Sequence, residues 1–139
     1  MKRYLFATLL LTLALPFSLL AGEPFKGTFS SKELGLKMVI DLYAESVEVP
    51  GLEMFGPLNG YINGTGLYRT WYVSTIKQAD KDKAIVHFSN DLGSETQTVE
   101  LTMQGDSLLH FRAVGSCVMK KAVGKKLVKI QTEFDMQRQ

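Results

Sequence analysis

Apolar and polar residues alternate with a period of two through most of the chain beyond residue 25. In LGLKMVIDLYA, Leu36, Met38, Ile40 and Leu42 share one side of an extended backbone and Lys37, Val39, Asp41 and Tyr43 the other, the pattern of a half-buried strand. The same spacing recurs in AIVHFSN (Ala84, Val86, Phe88), in TVELTMQ (Val99, Leu101, Met103) and in LVKIQTEFDM (Val128, Ile130, Phe134, Met136). LYRTWYVSTI is bulky on both sides, with Leu67, Trp71 and Val73 against Tyr68, Tyr72 and Ile76. A second layer is expected over one face of that strand.

Short polar connections separate these runs: QADKDKA, NDLGSE, QGDS, VGS and VGKK all carry Gly, Asn, Asp or Ser where a backbone can reverse. The pattern predicts strands near 25–31, 34–43, 45–49, 67–77, 83–89, 96–104, 107–114, 117–122 and 127–136, with no sustained helical stripe. Reversals this close leave antiparallel neighbours. A meander of eight to ten strands exposes two edges unless it closes, so the expected fold is all-β: an antiparallel up-and-down barrel, lipocalin- or streptavidin-like. Its interior is either filled by side chains or holds one small ligand.

One stretch departs from the rhythm. VPGLEMFGPLNGYINGTG, residues 49–66, holds five of the 12 glycines and no regular period, and it carries Met54, Phe55 and Tyr61, which are costly to leave in water. It reads either as a lid over a barrel mouth or as an Ω-like plug that completes the core.

The elements FKGTF, VPGLEMFGPLNGY, LYRTWYVSTIK and NDLGSE give nearly the whole chain a resemblance to a group of small exported bacterial barrel proteins of uncharacterised function, lipocalin- and avidin-like in architecture. The resemblance implies a calyx or a filled barrel. It brings no functional residue with it.

The first 22 residues, MKRYLFATLLLTLALPFSLLAG, have the layout of a secretory signal peptide: Lys2 and Arg3, a long apolar run, then small residues. Pro16 and the small residues favour cleavage over a membrane span, and Glu23 stands where a lipid anchor would need cysteine. Residues 23–139 then form a single barrel domain, exported as a soluble periplasmic or extracellular protein with no transmembrane segment.

Removing residues 1–22 changes the charge. The chain has 16 Lys+Arg and 14 Asp+Glu, but the leader takes Lys2 and Arg3 and no acid, so the remainder is formally neutral. A nucleic-acid partner, which calls for a net basic surface, is therefore not expected. Cys117 is the single cysteine and is expected to be a small buried side chain on a strand.

Signatures of catalysis and metal binding are missing from the pattern. His87 and His110 are the two histidines, neither in a metal-ligand spacing, and the sequence has no GxSxG, CxxC, HExxH or phosphate loop. A binding protein rather than an enzyme is expected, without cofactor or metal. The ligand-binding candidates are Met54, Phe55 and Tyr61 of the irregular stretch, the aromatics Tyr68, Trp71 and Tyr72, and Arg69 and Arg112 as polar groups that would orient an apolar or amphiphilic molecule. The alternative is a filled barrel that binds another protein or an anionic cell-envelope surface. For that role KKAVGKKLVK stands out, with Lys120, Lys121, Lys125, Lys126 and Lys129 around one hairpin turn.

Overall fold

The computed structural model describes residues 22–139, so the predicted leader lies outside the described residues apart from Gly22. Among the described residues there are ten strands: β1 Lys26–Ser31, β2 Leu36–Asp41, β3 Gly60–Asn63, β4 Trp71–Ala79, β5 Lys83–Asn90, β6 Thr96–Gln104, β7 Leu108–Ala113, β8 Lys120–Val123, β9 Lys126–Lys129 and β10 Glu133–Arg138. Eight close into an antiparallel barrel in the order β1-β10-β7-β6-β5-β4-β3-β2. The expected closed meander is therefore the fold, with one interruption. Strands β8 and β9 pair only with each other, as a hairpin inserted between β7 and β10.

Alternation explains the walls. Ala84, Val86 and Phe88 of β5, Val99, Leu101 and Met103 of β6, and Leu109, Phe111 and Ala113 of β7 all point inward and are buried, while their neighbours face out. Inward side chains from every wall meet in one continuous core: Phe25, Phe29, Met38, Ile40, Ile62, Phe88, Phe111 and Met136 are all but inaccessible, and Phe111 stacks on Phe134 with ring centroids 4.4 Å apart. Burial of this kind contributes about 1.5–3 kcal/mol for each large apolar side chain, which serves a chain that has no disulfide.

The barrel has two short seams. β3 pairs with β4 only at Tyr61↔Tyr72 and Ile62↔Trp71, and β1 with β10 only at Phe29↔Arg138 and Ser30↔Gln137. Arg138 closes the second seam with its side chain. Its guanidinium donates to the carbonyls of Asp106 at 2.7 Å, Lys26 at 2.7 Å and Pro24 at 2.8 Å, and it lies over the Phe29 ring, 4.7 Å from the centroid. Gly27 leaves the space for it, since a Cβ there would meet the Arg138 guanidinium at 2.5 Å.

Several predicted spans shift. The 45–49 run is not a strand but a single bridge, Val47↔Leu58. The run from Leu67 begins its strand only at Trp71, and 127–136 divides into β9 and β10. In that last run the expected single face does not form, because Val128 is exposed on the hairpin while Phe134 and Met136 enter the core. Cys117 is buried as expected, but in an irregular segment ahead of β8 rather than on a strand.

Candidate functional site

The irregular stretch 49–66 does three jobs. Residues 60–63 are barrel strand β3. Residues 64–66 pass close under the β1–β2 turn, where Gly66 donates its N–H to the Gly35 carbonyl at 2.9 Å and a side chain at Gly64 or Gly66 would collide with the backbone of residues 34–36. The rest joins residues 44–48 in a flap folded over the outside of the barrel wall. There Val47, Val49 and Leu52 cover Tyr61, with Val39, Leu58 and Tyr72 at the margin, as a second small core separate from the barrel interior.

The flap is tied down at its root. The Asp41 carboxylate accepts the Tyr43 N–H at 3.0 Å, the Ala44 N–H at 3.1 Å and the Ser46 hydroxyl at 2.7 Å. Burial opposes charge on Asp41, but these three donors and the nearby Lys26 ammonium outweigh it and hold the carboxyl below its ordinary range. From the other side of the loop the Asn59 amide donates to the Asp41 and Ala44 carbonyls. At the tip, a 3-10 turn over Glu53–Phe55 leaves Met54 83% and Phe55 55% exposed, with the Phe55 ring tilted against Tyr72 at 6.1 Å.

The eight candidate residues therefore separate into three places. Met54, Phe55, Tyr61 and Tyr72 belong to the flap and the outer face beneath it. Tyr68, Arg69 and Trp71 meet at one end of the barrel, between the β3–β4 connection and the root of the β8–β9 hairpin. Arg112 belongs to neither group: it projects outward from β7 and donates to the Glu100 carboxylate of β6 at 3.0 Å, beside Lys83, in a charge ladder on the opposite wall. His110, next along β7, faces Asp135 at 2.7 Å and Glu133 at 3.3 Å in the same outer layer. His87 also faces out, against the Thr98 hydroxyl at 2.9 Å.

At the hairpin end, Trp71 is buried and donates its indole N–H to the Tyr68 carbonyl at 3.4 Å. Arg69 sits at φ 74°, the one non-glycine residue at positive φ among the described residues. That conformation costs about 1–3 kcal/mol. Its guanidinium lies 5.4 Å from the Tyr68 ring centroid, and its Nε lies 3.8 Å from Asp91 Oδ1, an oxygen that is buried without a hydrogen-bond partner. A cleft of about 100 Å³ separates Tyr68, Arg69 and Leu92 from Lys120 and Leu127 of the hairpin.

The hairpin root stoppers this mouth. Cys117 and Met119 enter the core, Gln97 accepts the Val118 N–H on its side-chain oxygen at 2.7 Å, and Tyr68 donates its N–H to the Lys120 carbonyl at 2.7 Å. Burial pushes the Cys117 thiol up, away from the thiolate a nucleophile requires. Beyond the root every residue from Lys121 to Lys129 is exposed. Gln97, Asp91 and Leu92 were not among the sequence candidates. Gln97 was legible as a polar residue at an inward position two before Val99, whereas Asp91 and Leu92 offer no signal beyond that of a turn.

The two ends also differ in charge. The connections at the hairpin end carry Lys32, Arg69 and the five hairpin lysines against Glu33, Asp91 and Glu95. The far end carries Glu23, Asp80, Asp82 and Asp106 against Lys81 and Arg138, with Lys26 and Lys83 at the strand ends there, while Glu45, Glu48 and Glu53 lie on the flap outside the wall. A chain that is neutral beyond residue 22 thus gathers an excess of positive charge at the hairpin end. The far end holds an open hollow of about 550 Å³, lined by Glu23, Lys81, Asp82, Asp106 and Arg138 around Pro24 and Met103. Though larger, it is less suited to binding: the lining is charged, and the Arg138 guanidinium is already taken by three carbonyls.

No helix among the described residues is long and apolar enough to cross a membrane, and no group of three or more His, Cys, Asp or Glu side chains is placed to hold a metal among them. No family model, curated protein or solved structure matches this chain.

Proposed function

We propose that the protein is an exported interaction module: a filled barrel that presents its connections to a partner instead of enclosing a ligand. The observation that carries this reading is the packed interior. Met38, Ile40, Val86, Leu101 and Phe111 meet in one core, with Ile130 packed against its edge, and the residues that a calyx would turn toward a ligand are the ones that fill it. Two of the aromatic candidates are likewise engaged, Trp71 in the core and Tyr61 beneath the flap. The cleft beside Tyr68 and Arg69, about 100 Å³, is well below the roughly 300–1,000 Å³ of ordinary small-molecule sites.

Two measurements test the reading. Protein purified from its own host is expected to begin at Glu23 and to release no stoichiometric small molecule on solvent extraction or native mass spectrometry. A lipid or pigment recovered at one per chain would overturn the filled-barrel reading in favour of a ligand carrier. Retention of residues 1–22 would overturn export by cleavage.

A further inference from the structure

The surface that such a module offers is least ordinary at the β8–β9 hairpin. Its register pairs Lys120 with Lys129, Lys121 with Val128, Ala122 with Leu127 and Val123 with Lys126. Directly opposed residues share a face, so one face carries Lys120, Lys129, Ala122 and Leu127 and the other Lys121, Lys126, Val123 and Val128. Both faces are basic and apolar at once. Val123, Leu127 and Val128 stand 53%, 48% and 44% exposed. None of the five lysines joins an ion pair among the described residues, and no acidic residue occurs between Asp106 and Glu133.

Resting on the interaction-module reading, we propose that the hairpin end docks on an anionic lipid surface, with the hairpin entering the headgroup layer. Three observations converge. The excess of positive charge gathered at this end orients it toward a negative surface. The exposed apolar residues Tyr68, Leu92 and Val114 surround the base of the hairpin on the same end of the barrel, so shallow entry buries a collected patch. The third is the choice of lysine.

Lysine is depleted at the cores of protein interfaces, where its ammonium would lose water, and here it occupies both faces of the hairpin. A packed protein partner on either face would have to bury two ammonium groups. In a headgroup layer each can extend along its stem to phosphate and stay hydrated while Val123, Leu127 and Val128 reach the acyl boundary. Arms of four residues extend about 13 Å at roughly 3.3 Å per residue, enough for the shallow depth of interfacial insertion.

Sedimentation with vesicles tests the proposal. The protein is expected to bind vesicles of phosphatidylcholine mixed with phosphatidylglycerol, to bind phosphatidylcholine alone far less, and to be released by salt. Each lysine near the surface raises the partition coefficient about five-fold, so the triple variant Lys121→Gln, Lys125→Gln, Lys126→Gln should bind about 100-fold less. The apolar triple Val123→Ser, Leu127→Ser, Val128→Ser should also bind less, and inorganic phosphate at matched ionic strength should not compete beyond a chloride control. Circular dichroism and the unfolding midpoint of both variants should match the parent, because the substituted side chains lie outside the core.

No binding to the mixed vesicles, equal binding to phosphatidylcholine alone, or undiminished binding by the lysine triple would overturn the proposal. So would specific competition by inorganic phosphate together with full binding by the apolar triple, which would assign the lysines to a soluble anion. Failure here leaves the packed interior and the extraction result untouched. A ligand recovered on extraction would overturn the module reading without altering the vesicle data.

Discussion

Two excursions leave the barrel at opposite ends, and they treat their apolar residues in opposite ways. The flap, residues 44–59, returns to the wall and buries Val47, Val49 and Leu52 over Tyr61, held by the Asp41 and Asn59 bonds at its root. The hairpin segment, residues 114–132, buries Cys117 and Met119 at its root and then projects with Lys121 to Lys129 uncovered. The flap interrupts its sequence with Gly51, Gly56, Pro50 and Pro57, which permit a fold-back. The hairpin keeps a regular ladder and a two-residue Gly124–Lys125 turn with Gly124 at φ 62°, so it stays straight and reaches outward. The lesson is that irregularity here marks packing, except at the Met54–Phe55 tip, and regularity marks display.

The strongest way to break that contrast is at Tyr61, the side chain on which the flap closes. Tyr61→Ala removes a buried aromatic from the centre of the small core and should destabilise the fold by about 3 kcal/mol, measured by chemical denaturation. If the flap were merely draped over the wall, the loss would stay below about 1 kcal/mol.

Next in size is the root of the flap. Asp41→Ala deletes an acceptor for three hydrogen bonds and should cost about 2 kcal/mol, with hydrogen exchange of the Tyr43 and Ala44 amides accelerated ahead of the barrel strands. The pH dependence has a definite sign. Because Asp41 titrates lower in the folded chain than in the unfolded one, its stabilisation is present above the unfolded value near 3.9 and is lost as pH falls through the folded value. Acid titration of the parent and of Asp41→Asn should therefore converge at low pH.

The difference between the excursions was only partly legible in the chain. β5, β6 and β7 are readable almost to their ends because each wall residue alternates between core and water. β3 was hidden: Gly60, Tyr61 and Ile62 are buried in succession, Ile62 in the barrel and Tyr61 under the flap, so no period survives in four residues. The 127–136 run failed for the opposite reason. Alternation continues from Val128 through Phe134 although the chain leaves one sheet and joins another, because a period of two records a pleat and not its partner.

The candidate surface divides in the same manner. The lysine run is plain in the sequence, but the excess of positive charge at one end is not, because each turn takes an end only once the order of strands is known. Arg112 could have been set aside from its neighbours alone, since inward Phe111 and Ala113 flank it and force it outward. Tyr68, Arg69 and Trp71 are grouped by proximity in the chain, yet the positive φ of Arg69 and the buried oxygen of Asp91 arise only from the packed turn.

A smaller effect calibrates the outer wall between the two excursions. The Asp135 carboxylate, aided by Glu133 and opposed by partial burial, raises the His110 pKa. Its stabilisation is then complete below the unfolded value near 6.5 and is lost as pH rises through the folded value. His110→Gln should remove this pH dependence while shifting stability by only about 0.5 kcal/mol, the scale of an exposed pair. A larger loss would mean that the ladder, and not the flap, braces the barrel from outside.

The smallest expected effect lies at the hairpin tip and is the sharpest test of the contrast. Leu127 is as apolar as Leu52, and by composition the two positions are equivalent; they differ in what covers them. Leu52→Ala opens a void in the small core, whereas Leu127→Ser exchanges one half-exposed side chain for another and should change stability by less than about 0.5 kcal/mol. Amides of Lys121 to Lys129 should exchange faster than those of Val47 and Leu58, which bond to each other across the flap at 2.9 and 2.8 Å. A cost at Leu127 equal to that at Leu52 would mean that the hairpin packs against the barrel in solution, and its apolar face would then no longer be free for display.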